Sequence, residues 1–184
     1  MLILASSSPR RKILIQKLFK DFIVISPDVD EDNVKCEIDN LPATLSKLKA
    51  ESIFKDRPDD IVLACDTIVV FNNEVLGKPK SKIDAKNMLR KLSGNIHKVM
   101  SGYTILSKDF LLTRTVTTYV HMNTLSDELI NEYVEKGYSD GKAGSYGIQD
   151  KEYNLVNKIE GSYDNVVGLP TEDIYQYYSS KINL

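Results

Sequence analysis

Apolar and polar positions alternate along the chain with two different periods, and each change of period marks an element boundary. Met1 to Ala5 is a short continuous apolar run, which predicts a buried strand. Ser8-Pro9 follows with a capping hydroxyl and a proline at the first helical position. Ile13, Leu14, Leu18 and Phe19 keep helical spacing behind it, and Phe22 to Ser26 reads as a second strand ending in the acidic loop Asp28 to Asp32. Pro42 opens a second helix with Leu45, Leu48, Ile53 and Phe54 towards a core. Ile61 to Cys65 is a continuous apolar strand interrupted by Asp66. Ile68 to Phe71 and Glu74 to Leu76 flank Asn72-Asn73 as a hairpin. Ser81 and Asp84 make a capping-box-like start, with Asp in place of the usual Glu, for a helix closed by Gly94.

The second half favours alternation. Val99 to Leu106 and Phe110 to Thr124 read as a long antiparallel pair, joined at Ser107-Lys108-Asp109. In the second arm Leu112, Val116, Val120 and Met122 alternate with threonines, Tyr119 and His121. Ser126 caps a helix ended by Gly137, a glycine-dense loop runs from Gly141 to Gly147, and a strand near Leu155 to Ile159 precedes a last helix from Thr171. The expected class is α/β with a mixed sheet flanked by helices, arranged as a single domain over 1–184 with room for two lobes and a cleft.

Composition narrows the function classes. With 42% hydrophobic and 27% charged residues the chain is no disordered polymer. A net charge of −2 argues against a nucleic-acid binder held by phosphate contacts, although it leaves room for a local basic pocket. No apolar run reaches the roughly 18 residues of a membrane span. The opening apolar run precedes its charges, the reverse of a secretory signal. Cys36, Cys65, His97 and His121 match no zinc spacing, and both cysteines read as small core residues. A cytoplasmic, disulfide-free protein is expected.

Ser6-Ser7-Ser8-Pro9-Arg10-Arg11 is the most informative stretch. Two arginines in a first helical turn face the positive end of the helix dipole, at a cost of about 0.3–1 kcal/mol each. An anion bound by amides, serine hydroxyls and guanidinium forks would resolve the conflict. Arginines folded back onto carboxylates would resolve it equally well. Asp66 in an apolar strand needs a partner: either it holds a divalent cation or takes a proton from water, or it bonds to nearby amides. Lys78, between Gly77 and Pro79, could aim at a phosphate, but an exposed turn lysine is the commoner case. Lys49 reads most simply as a solvated charge, and Glu31 is one carboxylate in an acidic loop. Gln149 offers an acceptor beside donors, which matches the N3–H and O4 edge of uracil or thymine; a surface turn is the plain alternative. His97 reads as structural or exposed, and no Gly-x-Ser-x-Gly elbow supports a serine hydrolase.

Taken together, the segments resemble the Maf family, or septum formation proteins, which are nucleoside triphosphate pyrophosphatases. The matching pieces are Leu4 to Arg11, Asp28 to Glu31, Ala64 to Val70, Leu76 to Pro79 and Met88 to Gly94, then His97, Val99 and Gly102, Lys142 to Gln149, and Ile159 to Pro170. The resemblance implies a mixed sheet with the nucleotide in a central cleft, and hydrolysis between the α and β phosphates with a divalent cation, Mg²⁺ or Mn²⁺. Asp66 falls on the family's proton acceptor. Ser6, Arg10, Arg11, Lys49 and Lys78 fall on positions around the phosphates, and Asp66 with Glu31 on the side of the metal. The branch acting on 7-methyl-GTP has tryptophan in place of Arg10, glutamine in place of Thr67 and glutamate near Gln149. Arg10, Thr67 and Gln149 look like the branch that prefers dTTP and UTP. The chain departs from the usual pattern at Gly141, where family members have aspartate, at Ser145 for alanine, and at Asp150 for glycine.

The expected partner is therefore a small nucleoside triphosphate, with neither nucleic acid nor membrane, and the long hairpin leaves room for a homodimer. Two rivals stand beside this reading. One is a non-catalytic nucleotide-binding regulator of cell division, and the other a phosphatase that releases orthophosphate.

Overall fold

The computed structural model describes residues 1–179. The elements follow in the order β1 (Leu2–Ala5), α1 (Pro9–Leu14), β2 (Ile23–Ile25), α2 (Leu41–Phe54), β3 (Ile61–Phe71), β4 (Glu74–Leu76) and α3 (Lys82–Leu92). Then come β5 (Ile96–Leu106), β6 (Leu111–Met122), α4 (Asp127–Glu135), β7 (Val156–Glu160), α5 (Tyr163–Val167) and α6 (Thr171–Ser179). The strands form one seven-stranded sheet in the order β2-β1-β3-β5-β6-β7, with β4 paired to β3. Parallel pairs β1–β2 and β1–β3 combine with antiparallel β3–β4 and β6–β7, so the sheet is mixed as expected.

The described chain groups into two compact units, and β3, β5 and β6 each contribute residues to both. The first contains Met1–Thr67, Ser101–Val116 and the segment from Asp164 onward. Its core is where α2 lies on the sheet: Ile3, Ala5, Val62 and Ala64 pack with Ala50 and Ile53. Three alanines in that contact let helix and strands approach closely. At Gly102 the approach has no tolerance, because a Cβ there would sit 2.1 Å from the Pro42 carbonyl carbon. Asp164, buried at the start of α5, accepts from Lys17 Nζ at 2.7 Å and from Thr171 Oγ1, and its carbonyl receives the Gly168 and Leu169 amides at 3.0 Å. The turn leading into α6 is thereby fixed.

The second unit holds Ile68–Met100 and Thr117–Tyr163. Its β3–β4 hairpin turns at Asn72 (φ 50°) and Asn73 (φ 58°), the left-handed pair of a two-residue hairpin loop, for which asparagine is well suited. Ser81 and Ser126 cap α3 and α4 by accepting the Asp84 and Leu129 amides, as their spacing predicts.

Four readings need correction. Asp66 does not interrupt β3, which runs straight through it to Phe71. The helical spacing read from Ile13 to Phe19 is not one α-helix: α1 ends at Leu14 and tightens into a 3₁₀ turn at Ile15–Lys17, and Ile13 itself is 64% exposed. Cys36 is exposed; only Cys65 is a core residue. The fourth, Lys49, belongs to the site.

Candidate functional site

Six positions on one face of α2 are buried: Pro42, Leu45, Ser46, Lys49, Ala50 and Ile53. Their spacing is a helical stripe, and Lys49 stands in its middle with 6% exposure. It is therefore no solvated charge. Its Nζ donates to Asp66 Oδ1 at 2.7 Å and lies 3.0 Å from Glu31 Oε1. Asp66 is itself 7% exposed on β3, whereas Glu31 sits on the open acidic loop. Burying such a pair gains little stability, since desolvation of both ions offsets their attraction. Both ions stand among largely apolar neighbours, on the buried face of α2 and along β3.

Arg11 forms the second group. Its Nε donates to the Gly168 carbonyl at 2.7 Å and its Nη2 to Thr67 Oγ1 at 3.0 Å. The Gly168 carbonyl also lies 3.3 Å from both Thr67 Oγ1 and Cys65 Sγ, each placed to donate to it. Thr67 Oγ1 is 2.8 Å from Ser101 Oγ, which donates to the Asn165 carbonyl. Gly168 holds φ at +130°, a conformation suited to glycine, so the carbonyl that steers Arg11 depends on that residue type. At the start of α1, Ser8 Oγ accepts the Arg11 amide and Ser6 Oγ the Ser8 amide at 3.1 Å. Arg10 is half-buried in the same turn, which holds no acidic residue.

Lys78 and Gln149 belong to the second unit and both are exposed. Their loops are tied together, because the Gly144 amide donates to the Gly77 carbonyl at 3.1 Å. Gly144, at φ +67°, lies against Val69, so the glycine-dense loop is seated on β3. Tyr146 in that loop is buried, with its hydroxyl 2.7 Å from His97 Nε2. Burial, assisted by nearby His121, pulls His97 down to about 4, so it stays neutral and structural. Asp150, the departure from the family pattern, also has a local partner set: its carboxylate accepts from Lys142 Nζ at 2.6 Å and from Tyr133 Oη.

The first unit thus brings Asp66 together with Lys49 and Glu31, and Arg11 together with Thr67. Sequence reasoning missed Gly168, Ser101 and the Lys142–Asp150–Tyr133 group. The stripe on α2 could have revealed Lys49 as buried; nothing local announces Gly168. Among the described residues, no group of three or more His, Cys, Asp or Glu stands where it could hold a metal ion. No described helix is long and apolar enough to cross a membrane.

A sequence model of Maf-like proteins matches residues 1–180. The chain belongs to the Maf family. Relatives named dTTP/UTP pyrophosphatase share 45% identity with it in Clostridium novyi, covering 96% of this chain and 95% of that protein. In Thermosipho melanesiensis the figures are 45%, 95% and 94%, and in Alkaliphilus metalliredigens 46%, 92% and 90%. The Staphylococcus aureus Ham1 protein is similar in fold, with a TM-score of 0.59 at 13% identity over 98% of this chain and 99% of that one. Membership confirms the resemblance read from Leu4–Arg11, Ala64–Val70 and Lys142–Gln149.

Proposed function

We propose that this Maf-family protein hydrolyses dTTP and UTP to the nucleoside monophosphate and pyrophosphate. The names of its relatives support the reaction, and Arg10, Thr67 and Gln149 support the pyrimidine preference. The observation that carries the catalytic reading is the buried Lys49–Asp66 pair with Glu31 beside it.

In this account a water oxygen bonds to the α-phosphorus while the bond from that phosphorus to the bridging oxygen of the β-phosphate breaks. Pyrophosphate leaves. Asp66 takes the proton of the attacking water. Arg10, Arg11, Lys49 and Lys78, with Ser6, offset charge on the triphosphate and on the departing group. Gln149 reads the pyrimidine edge, and Thr67 sets Arg11 through their hydrogen bond. Asp66 and Glu31 would hold a divalent cation, Mg²⁺ or Mn²⁺. Two carboxylates are few ligands, but they suit a hard cation that takes its remaining oxygens from phosphates and water. When bound, that cation would add positive charge beside the phosphate oxygens. The reaction belongs in the cytoplasm, where thiols such as Cys36 and Cys65 stay reduced.

The test is a panel of dTTP, UTP, CTP, ATP and GTP with Mg²⁺ or Mn²⁺, scored for pyrophosphate against orthophosphate. Pyrophosphate from dTTP and UTP is the expected result. Binding without turnover would replace the enzyme with a nucleotide-binding regulator, and orthophosphate as first product would make it a phosphatase.

A further inference from the structure

Gly147, Ile148, Gln149 and Asp150 form a four-residue turn closed by the Asp150 amide on the Gly147 carbonyl at 3.2 Å. One buried phenol holds both ends of it. Tyr133, on α4 and fully buried, accepts the Gly147 amide at 2.9 Å and donates to Asp150 Oδ2 at 2.5 Å. Lys142 donates to the same carboxylate oxygen at 2.6 Å. This ion pair presses on the turn itself, since a Cβ at Gly147 would fall 2.6 Å from Asp150 Oδ2 and 2.7 Å from Lys142 Nζ. The phenol ring is itself packed, stacked on Tyr138 (centroids 5.4 Å) and edge-on to Tyr153 (5.0 Å).

Gln149 occupies the third position of that turn. Its backbone carbonyl takes the Lys151 amide at 2.9 Å, while its side chain is exposed and makes no hydrogen bond among the described residues. A clamped backbone carrying an uncommitted amide is pre-organised to read a ligand, because little order remains to be paid for on binding. Resting on the reading of Gln149 as the base-contacting residue, we propose that Tyr133 and Asp150 are positioning residues for pyrimidine recognition. They act through the Gly147–Asp150 turn and touch no substrate atom. Loosening the turn leaves the phosphate chemistry intact and blurs the choice of base.

The experiment compares kcat/KM for UTP and CTP, nucleotides that differ only in the edge Gln149 would read, in wild type, Tyr133→Phe, Asp150→Asn, Gln149→Ala and Gln149→Ala/Tyr133→Phe. The amide exchange of Gly147 is followed by NMR in the same proteins. Tyr133→Phe and Asp150→Asn should each lower the UTP:CTP ratio about tenfold through KM for UTP, with kcat within about twofold. Tyr133→Phe should also release the Gly147 amide to exchange. The double variant should lose no more discrimination than Gln149→Ala alone, since the phenol works through that residue. Additive losses, or an equal fall for both nucleotides, would reduce the group to a structural prop and overturn the proposal. A freed Gly147 amide with an unchanged ratio would overturn it too. If the wild type fails to separate UTP from CTP, the base-contact reading fails and takes the clamp with it; if the wild type separates them, Gln149→Ala loses the ratio and Tyr133→Phe and Asp150→Asn keep it, the clamp alone is wrong.

Discussion

The Lys49–Asp66–Glu31 cluster and the Gly141–Asp150 loop use charge in opposite ways. In the cluster the residues assigned to chemistry are themselves the ion pair, with Asp66 and Lys49 buried and bonded at 2.7 Å. In the loop the ion pair of Lys142 and Asp150 meets the Tyr133 phenol that accepts the Gly147 amide, and the residue assigned to recognition, Gln149, stays exposed beside it. The difference follows from what each must do. A proton acceptor gains from a fixed, low-dielectric setting, whereas a base-reading amide must meet its ligand and gains only from having its backbone fixed. Neutral anchors carry the rest of the loop, with Tyr146 on His97 and Gly144 on the Gly77 carbonyl.

That contrast can be broken at each end. Asp66→Asn should lower pyrophosphate release about a thousandfold while calorimetry shows nucleotide binding nearly unchanged, the range expected when a general base is lost. Full activity in that variant would strip Asp66 of its role. Lys49→Met should destabilise the fold by about 3–4 kcal/mol in urea, because Asp66 would remain buried without its ammonium. The double change Lys49→Met/Asp66→Asn should regain part of the loss; if it does not, the pair is not coupled. On the loop's side the sensitivity is to acid. His97 is held near 4 in the fold against an ordinary 6.5. The unfolded chain therefore binds the extra proton first. The His97 contribution is complete above about 6.5 and is lost as pH falls from there through 4, by about 3 kcal/mol in all. His97→Gln should flatten that part of the stability profile, and an unaltered slope would move the acid sensitivity elsewhere.

The sequence made these two regions legible to different degrees. Asp66 stood out because a carboxylate in Ile61–Phe71 conflicts with its neighbours, and Arg10 and Arg11 because they oppose a helix dipole. Such conflicts are local and can be read along the chain. Lys49 was legible only in part: a lysine between Ser46 and Ala50 looks like any surface charge until the whole buried stripe from Pro42 to Ile53 is traced. Tyr133 and Asp150 are 17 residues apart, and Arg11 and Gly168 are 157 apart. No periodicity links such pairs, since they meet only through tertiary packing. The strands and caps were clear because alternation and N-cap chemistry act within a few residues. Helix α5 was not foreseen; its five residues are too few to display a period.

The proposed function rests on attack of water at the α-phosphorus of a pyrimidine nucleoside triphosphate. Hydrolysis of UTP in H₂¹⁸O, with both products analysed by mass spectrometry, tests it most directly. One ¹⁸O should appear in the uridine monophosphate and none in the pyrophosphate. Label in the pyrophosphate would mean attack at the β-phosphorus and would contradict it.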